Sequence, residues 1–131
     1  MSYFLVGIAG VIGTLLRYVL GVWVQQSIPH TAFPIGTLAV NLVGCFALGW
    51  FSQWVQDKNR ISPRIRTSIS TGLIGSFTTF STFSVETVQL FRQGLWGNGI
   101  GYAGLSMTGG LFLAWLGTVV AGRRREGAQH G

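Results

Sequence analysis

The densest chemistry in the chain lies between Ser76 and Ser84, Ser-Phe-Thr-Thr-Phe-Ser-Thr-Phe-Ser, where hydroxyl side chains alternate with Phe77, Phe80 and Phe83. Hydroxyls donate hydrogen bonds, and an aromatic ring has a negative face and a positive edge. A small anion stripped of its water could meet ring edges while hydroxyls of Thr78, Thr79, Ser81 and Thr82 donate to it. Gly72 and Gly75 stand just before the run. Glycine followed by hydroxyls suits an unwound or kinked segment, because serine and threonine can satisfy freed backbone groups. The competing reading is a regular helix whose hydroxyls bond back to its own carbonyls.

Four further polar features lie inside apolar stretches. Asn41 has Thr37 one turn before it on the same helical face, and its amide could donate to an anion or join two helices. Tyr102, Ser106 and Gly110 recur every four residues and share one face, as a narrow polar track would. Arg17 could snorkel to an interface, draw anions into a vestibule, or pair with Glu86. Glu86 itself could couple protons, or join a network with Asn41 or Arg17. Together these residues offer hydroxyls, an amide, ring edges and a guanidinium but little carboxylate. That set solvates anions better than cations, and passage of a small anion is the leading reading.

Little else could do chemistry. His30 and His130 are far apart and make no metal-ligand spacing. Asp57, Glu86 and Glu126 provide no carboxylate pair within an apolar stretch. Cys45 cannot form an internal disulfide and reads as a small packing residue. No phosphate-binding glycine loop is present, and no enzyme activity, organic cofactor or nucleic-acid partner is expected.

The elements that carry these residues follow from charge. Among 131 residues 48% are hydrophobic and 9% charged, where soluble domains average about 25% charged. Positions 18–56 and 93–122 hold no charged side chain. A membrane-crossing helix needs about 20 apolar residues, so the pattern predicts an all-α membrane protein. Four spans fit one transmembrane domain over 1–131, at about 3–24, 34–55, 65–91 and 100–122. Pro34 suits a first helical turn, and Ser62-Pro63 is a helix-start signal. Gln25 to Phe33, Gln56 to Ser62 and Gln93 to Gly99 read as loops. Trp23, Trp50, Trp54 and Trp96 fall near span ends, as an interfacial belt would place them, with Trp115 further inside. Gly7, Gly10 and Gly13, and Gly101, Gly104 and Gly109, read as close helix contacts. So small a bundle, with glycine-rich faces, also suggests a second copy.

Three stretches resemble the Fluc (CrcB) family of small bacterial fluoride channels. They are Gly10-Val-Ile-Gly13-Thr-Leu-Leu-Arg17-Tyr18, Gly36-Thr37-Leu-Ala-Val40-Asn41-Leu-Val-Gly44, and the specific run from Gly72 through Gly75 and Thr78-Thr79-Phe80-Ser81-Thr82-Phe83 to Glu86. The resemblance extends over essentially the whole chain. Thr14 departs from it, since the family pattern usually has alanine there. The resemblance implies a dual-topology homodimer of two antiparallel subunits with two fluoride pores, in a bacterial inner membrane. It implies ring edges of Phe80 and Phe83 facing the ion, Asn41 as a pore donor beside them, and Tyr102 and Ser106 on a polar track. It also implies a third helix broken near its centre and one central Na+ held by the backbone carbonyls of Gly75 and Thr78 from both subunits. Passive export would protect a cell that accumulates fluoride.

One feature opposes dual topology. Lys58, Arg60, Arg64, Arg66 and Arg123 to Arg125 lie on the N-terminal side of the membrane, and only Arg92 on the other. The positive-inside rule then predicts one orientation, with both termini cytoplasmic. Two other function classes compete. A proton-coupled four-helix multidrug-type transporter would need a cavity-facing acid, for which Glu86 is the one candidate. A non-transporting assembly subunit would need no hydroxyl-rich interior.

Overall fold

The computed structural model describes residues 2–28, 33–56 and 61–129, with side chains of 2, 124–126 and 128–129 left out. Pro29, His30, Asp57, Lys58, Arg60 and His130, and the side chains of Arg124, Arg125 and Glu126, therefore lie outside the described residues.

All regular structure among the described residues is helical. Helix α1 spans Ser2–Ser27 and α2 spans Ile35–Gln56. Helix α3, Pro63–Thr67, runs into a π-helical stretch, Ser68–Ile74, and then into α4, Gly75–Phe77. Helices α5, Phe80–Arg92, and α6, Trp96–Gln129, follow. Among the described residues, three helices are long and apolar enough to cross a membrane: Tyr3–Ser27, Ile35–Gln56 and Trp96–Arg123. Large apolar side chains such as Phe4, Val11, Leu15, Trp23, Leu111 and Trp115 are exposed along α1 and α6. An apolar exterior of this kind is what a lipid solvent requires.

Each helix end has its own local cause. The amide of Gly36 in the first turn of α2 donates to Gln25 Oε1 of α1 at 3.1 Å, so one helix caps the next. Ser62 accepts from the Ile65 amide at 3.3 Å, and Pro63 occupies the first turn of α3. Helix α5 stops at a left-handed Gly94, φ 78°, where the Leu95 amide reaches the Leu90 carbonyl at 2.9 Å and the Gly94 amide reaches Phe91 at 3.1 Å. Ring packing of Phe91 on Trp96, 4.7 Å between centroids, fixes this turn.

The α2–α6 pair makes the most extensive contact, followed by α1 against the π-helical stretch. Both depend on missing side chains. A Cβ at Gly49 would run into the Ala114 carbonyl of α6, and one at Gly13 into the Leu73 carbonyl. The expected glycine contacts are met at Gly10, Gly13 and Gly109, whereas a Cβ at Gly7, Gly101 or Gly104 would meet open space among the described residues. Helical periodicity places glycines on faces without saying which face meets a neighbour. A small core forms where Phe51, Val55 and Ile74 pack with Trp50 and Trp54.

Boundaries also move. Helix α1 continues past Val24 to Ser27, and α6 begins at Trp96, inside the expected loop, and ends at Gln129. Its 34 residues reach about 50 Å at 1.5 Å per residue, more than the roughly 30 Å hydrocarbon thickness. Charges end a span but not a helix, because backbone bonds persist in water.

Candidate functional site

The chain leaves helical geometry at Thr78 and Thr79, whose ψ angles are 156° and 120°. Such residues lose their helical hydrogen bonds and need other partners in a membrane. Asn41, in the second turn of α2, supplies them. Its Nδ2 donates to the Thr79 carbonyl at 3.0 Å, and its Oδ1 accepts from the Thr79 amide at 2.8 Å. One side chain thus satisfies both backbone groups of Thr79, as a neighbouring strand would. Thr79 in turn caps α5, its hydroxyl accepting from the Thr82 amide at 3.2 Å.

One turn earlier on the same face of α2, the Thr37 hydroxyl donates to Glu86 Oε1 at 2.8 Å. The Tyr102 hydroxyl donates to Oε2 at 3.1 Å. Helices α2 and α6 therefore hold the carboxylate of α5 between them, and Glu86 takes its donors from these hydroxyls, not from Asn41 or Arg17. The buried Tyr102 ring lies edge-on to Phe33 at 5.5 Å and tilted against Phe83 at 5.1 Å. Phe83 continues to Phe80 at 5.9 Å, and Phe80 is 79% exposed. Phe77 stands apart from this ring series, because the break at Thr78 and Thr79 interrupts the spacing of three.

Two cavities flank the break. One, of about 340 Å³, is lined by Asn41, Cys45, Gly75, Thr78, Phe80, Phe83 and Ser106, among others. Within it the Ser106 hydroxyl is buried and has no partner among the described residues. A buried unpaired hydroxyl costs about 1–3 kcal/mol, so it marks a place where an acceptor fits. The other, of about 470 Å³, is lined by Thr14, Arg17, Tyr18, Thr37, Thr79 and Thr82, among others. Thr79 lines both, so the residue clamped by Asn41 is the partition between them.

The structure thus brings Thr37, Asn41, Thr82, Phe80, Phe83, Glu86, Tyr102 and Ser106 around one backbone break. Ser81 is exposed beside Phe80. Phe33 escaped the reading because its edge contact with Tyr102 depends on the turn before α2. Gln89 and Gln93 border a small cavity, about 70 Å³, with Glu86 and Pro34. Their helical spacing from Glu86 was the signal available for them.

The same chain segments match known proteins. Residues 4–118 match the family model described as CrcB-like protein, Camphor Resistance (CrcB). The fluoride-specific ion channel FluC 1 of Bacillus cereus is 49% identical over 117 residues, 89% of this chain and 85% of the relative. FluC 2 of Geobacillus kaustophilus is 44% identical over 128 residues, covering 97% and 98%. FluC of Acidobacterium capsulatum is 41% identical over 123 residues, covering 94% and 98%. A match of this extent, which takes in α1, the Asn41 clamp, the break and most of α6, means that the chain belongs to the CrcB-like protein family.

Proposed function

We propose that this multi-pass membrane protein is a fluoride channel that lets fluoride leave the cytoplasm passively. The observation that carries the reading is one cavity lined by Phe80, Phe83, Asn41 and Ser106, whose buried hydroxyl has no partner among the described residues. Donors and ring edges replace water around a small hard anion there, and no basic side chain lines the cavity. Asn41 keeps a second amide N–H beyond the one given to Thr79. The relatives named as fluoride-specific channels support the same ion.

Pro63–Arg92 makes the third crossing, as a helix broken at Thr78 and Thr79, and the whole chain forms one transmembrane unit in a bacterial inner membrane. The subunit pairs with an antiparallel second copy, giving two pores. The exposed Phe80 ring is consistent with that partner, since such a ring needs a neighbour to enclose an ion against it.

Na+ fits the break. The Gly75 carbonyl would pair in an unbroken helix with the Thr79 amide, which instead donates to Asn41, and it receives only the Thr78 hydroxyl at 3.4 Å. Freed carbonyls in a broken helix are suitable ligands for a hard cation. The carbonyls of Gly75 and Thr78 from both copies would hold the ion, which would supply fixed positive charge that ties the two subunits together. The proton-coupled transporter is not favoured, because both oxygens of Glu86 already accept hydrogen bonds.

The test is efflux from liposomes that hold purified protein, comparing fluoride with chloride while a potassium ionophore balances charge. Fast fluoride efflux without chloride efflux, lost in Phe80→Ile, is the expected result. Absence of fluoride efflux from folded protein would overturn the reading.

A further inference from the structure

The 470 Å³ cavity beside Arg17 is also lined by Thr14, a hydroxyl with no role so far. Thr14 and Arg17 lie three residues apart on α1, so hydroxyl and guanidinium occupy one face. Several helical hydroxyls are committed within their own helices. Ser27, Ser68, Ser84, Thr87 and Thr108 each donate to the carbonyl four residues back in their own helices, at 2.7–2.9 Å. The Thr14 hydroxyl makes no such bond and has no partner among the described residues. Its proton is free for whatever enters the cavity.

The other polar groups around that space sort in the same way. The Thr37 hydroxyl is committed to Glu86. The Thr82 hydroxyl has no partner among the described residues, although its amide is bonded to Thr79. The Thr79 hydroxyl accepts from that amide and retains its own proton. The cavity therefore presents Arg17, Thr14, Tyr18, Thr79 and Thr82 as donors, and Glu86 is covered by Thr37 and Tyr102. The cavity is far larger than the roughly 10–15 Å³ a single water needs and offers it polar partners, so water enters and an anion there keeps part of its shell. A fixed hydroxyl then replaces one water of that shell.

We propose that Thr14 is an anion-positioning residue of the Arg17 cavity, donating to a partly hydrated halide before the halide passes Thr79. The proposal rests on the fluoride reading above and adds to it a loading residue that the usual alanine at this place would not supply. Thr14 acts on occupancy of the cavity, not on passage through the ring region, because it does not line the Phe80–Phe83 cavity.

The experiment measures fluoride efflux from liposomes as a function of fluoride concentration, for the unaltered chain, Thr14→Val, Thr14→Ala and Thr14→Ser. Thr14→Val keeps the shape and removes the donor. Because water competes for the ion, the half-saturating fluoride concentration rises only about three- to tenfold in Thr14→Val and Thr14→Ala. Maximal efflux stays as it was, and Thr14→Ser restores the original concentration dependence. The proposal is overturned if Thr14→Val matches the unaltered chain, or if Thr14→Ser behaves like Thr14→Val, since packing would then be the cause. Fluoride line broadening in 19F NMR of the purified protein gives a second readout that does not require passage. Reduced broadening in Thr14→Val supports the proposal even if efflux is absent, and equal broadening overturns it. Absent efflux by the unaltered chain counts against the function instead.

Discussion

Helix α2 uses its two sides for opposite purposes. On one side Gly49 admits the Ala114 carbonyl of α6, and on the other Asn41 holds the amide and carbonyl of Thr79. Both sides are built from small and polar residues. The α6 side gains contact by removing side chains, and the hydroxyls of Thr108 and Thr118 are spent within their own helix, on Gly104 and Trp115. The Thr79 side gains a non-helical backbone by adding one amide side chain. The difference teaches that residue type does not separate scaffold from site here. What separates them is where each proton goes. The close α2–α6 contact also fixes α2, and a fixed α2 is what allows Asn41 to hold the break in one geometry.

Breaking the scaffold side has the largest expected effect. Gly49→Val drives two branches into backbone, which cannot yield as a flexible side chain can. Overpacking of this kind costs about 1–3 kcal/mol or more, and the expected outcome is loss of the monodisperse, folded species on gel filtration in detergent. Gly97→Ala is the control, since a Cβ there meets open space, and its elution and melting temperature should match the unaltered chain. Equal behaviour of the two variants would break the comparison.

Breaking the clamp comes next. Asn41→Leu leaves the Thr79 amide and carbonyl without their partners, at about 1–3 kcal/mol for each orphaned group. Melting temperature should fall and fluoride efflux should disappear. Asn41→Asp sharpens the result, because the carboxylate still accepts from the Thr79 amide but cannot donate to its carbonyl. It should melt closer to the unaltered chain than Asn41→Leu does, and still fail to conduct. Full conduction by either variant would remove Asn41 from the site.

These two regions were unequally legible in the sequence. Helices α1, α2 and α6 follow from long uncharged apolar runs. The start at Ser62-Pro63 follows from a local hydrogen bond that the residue types dictate. The pairing of Glu86 with Thr37 and Tyr102 was hidden, because it depends on how three helices pack, and Arg17 was an equally reasonable partner on charge alone. The π-helical stretch Ser68–Ile74 had no sequence signal, since its widened turns are set by α1 packing against it. The positive charge on one side, of which Arg64, Arg66 and Arg123 are described, is fully legible and argues for a single orientation. Cysteine labelling from each side of the membrane measures it: reaction from one side only would contradict the antiparallel homodimer.

The Glu86 network has an intermediate effect, because it joins the two regions without being the break itself. Glu86→Gln keeps the shape but turns one acceptor oxygen into a donor, which then faces the hydroxyl of Thr37 or Tyr102. Those hydroxyls can rotate, so the expected loss is about 1 kcal/mol of stability, with partial efflux retained. A proton-coupled mechanism predicts abolished transport instead, and efflux at several pH values would distinguish the two.

The smallest effects are the sharpest test of the rule about protons. Ser84 and Ser106 are both hydroxyls inside apolar helices, and composition cannot rank them. Ser84 donates to the Phe80 carbonyl at 2.9 Å, a bond inside its own helix. The Ser106 hydroxyl is buried with no partner among the described residues, and Ser106 lines the cavity of Phe80 and Phe83. Removing the first hydroxyl leaves a carbonyl that already has its helical amide, so Ser84→Ala should change stability by less than about 0.5 kcal/mol and leave efflux intact. Removing the second relieves a buried unsatisfied donor, so Ser106→Ala should be as stable as the unaltered chain or slightly more so, while efflux falls. A stabilised but poorly conducting protein is the signature of a donor kept for a ligand instead of for the fold. If Ser84→Ala and Ser106→Ala conduct equally, the location of the proton does not mark the site, and the division between the two faces of α2 rests on packing alone.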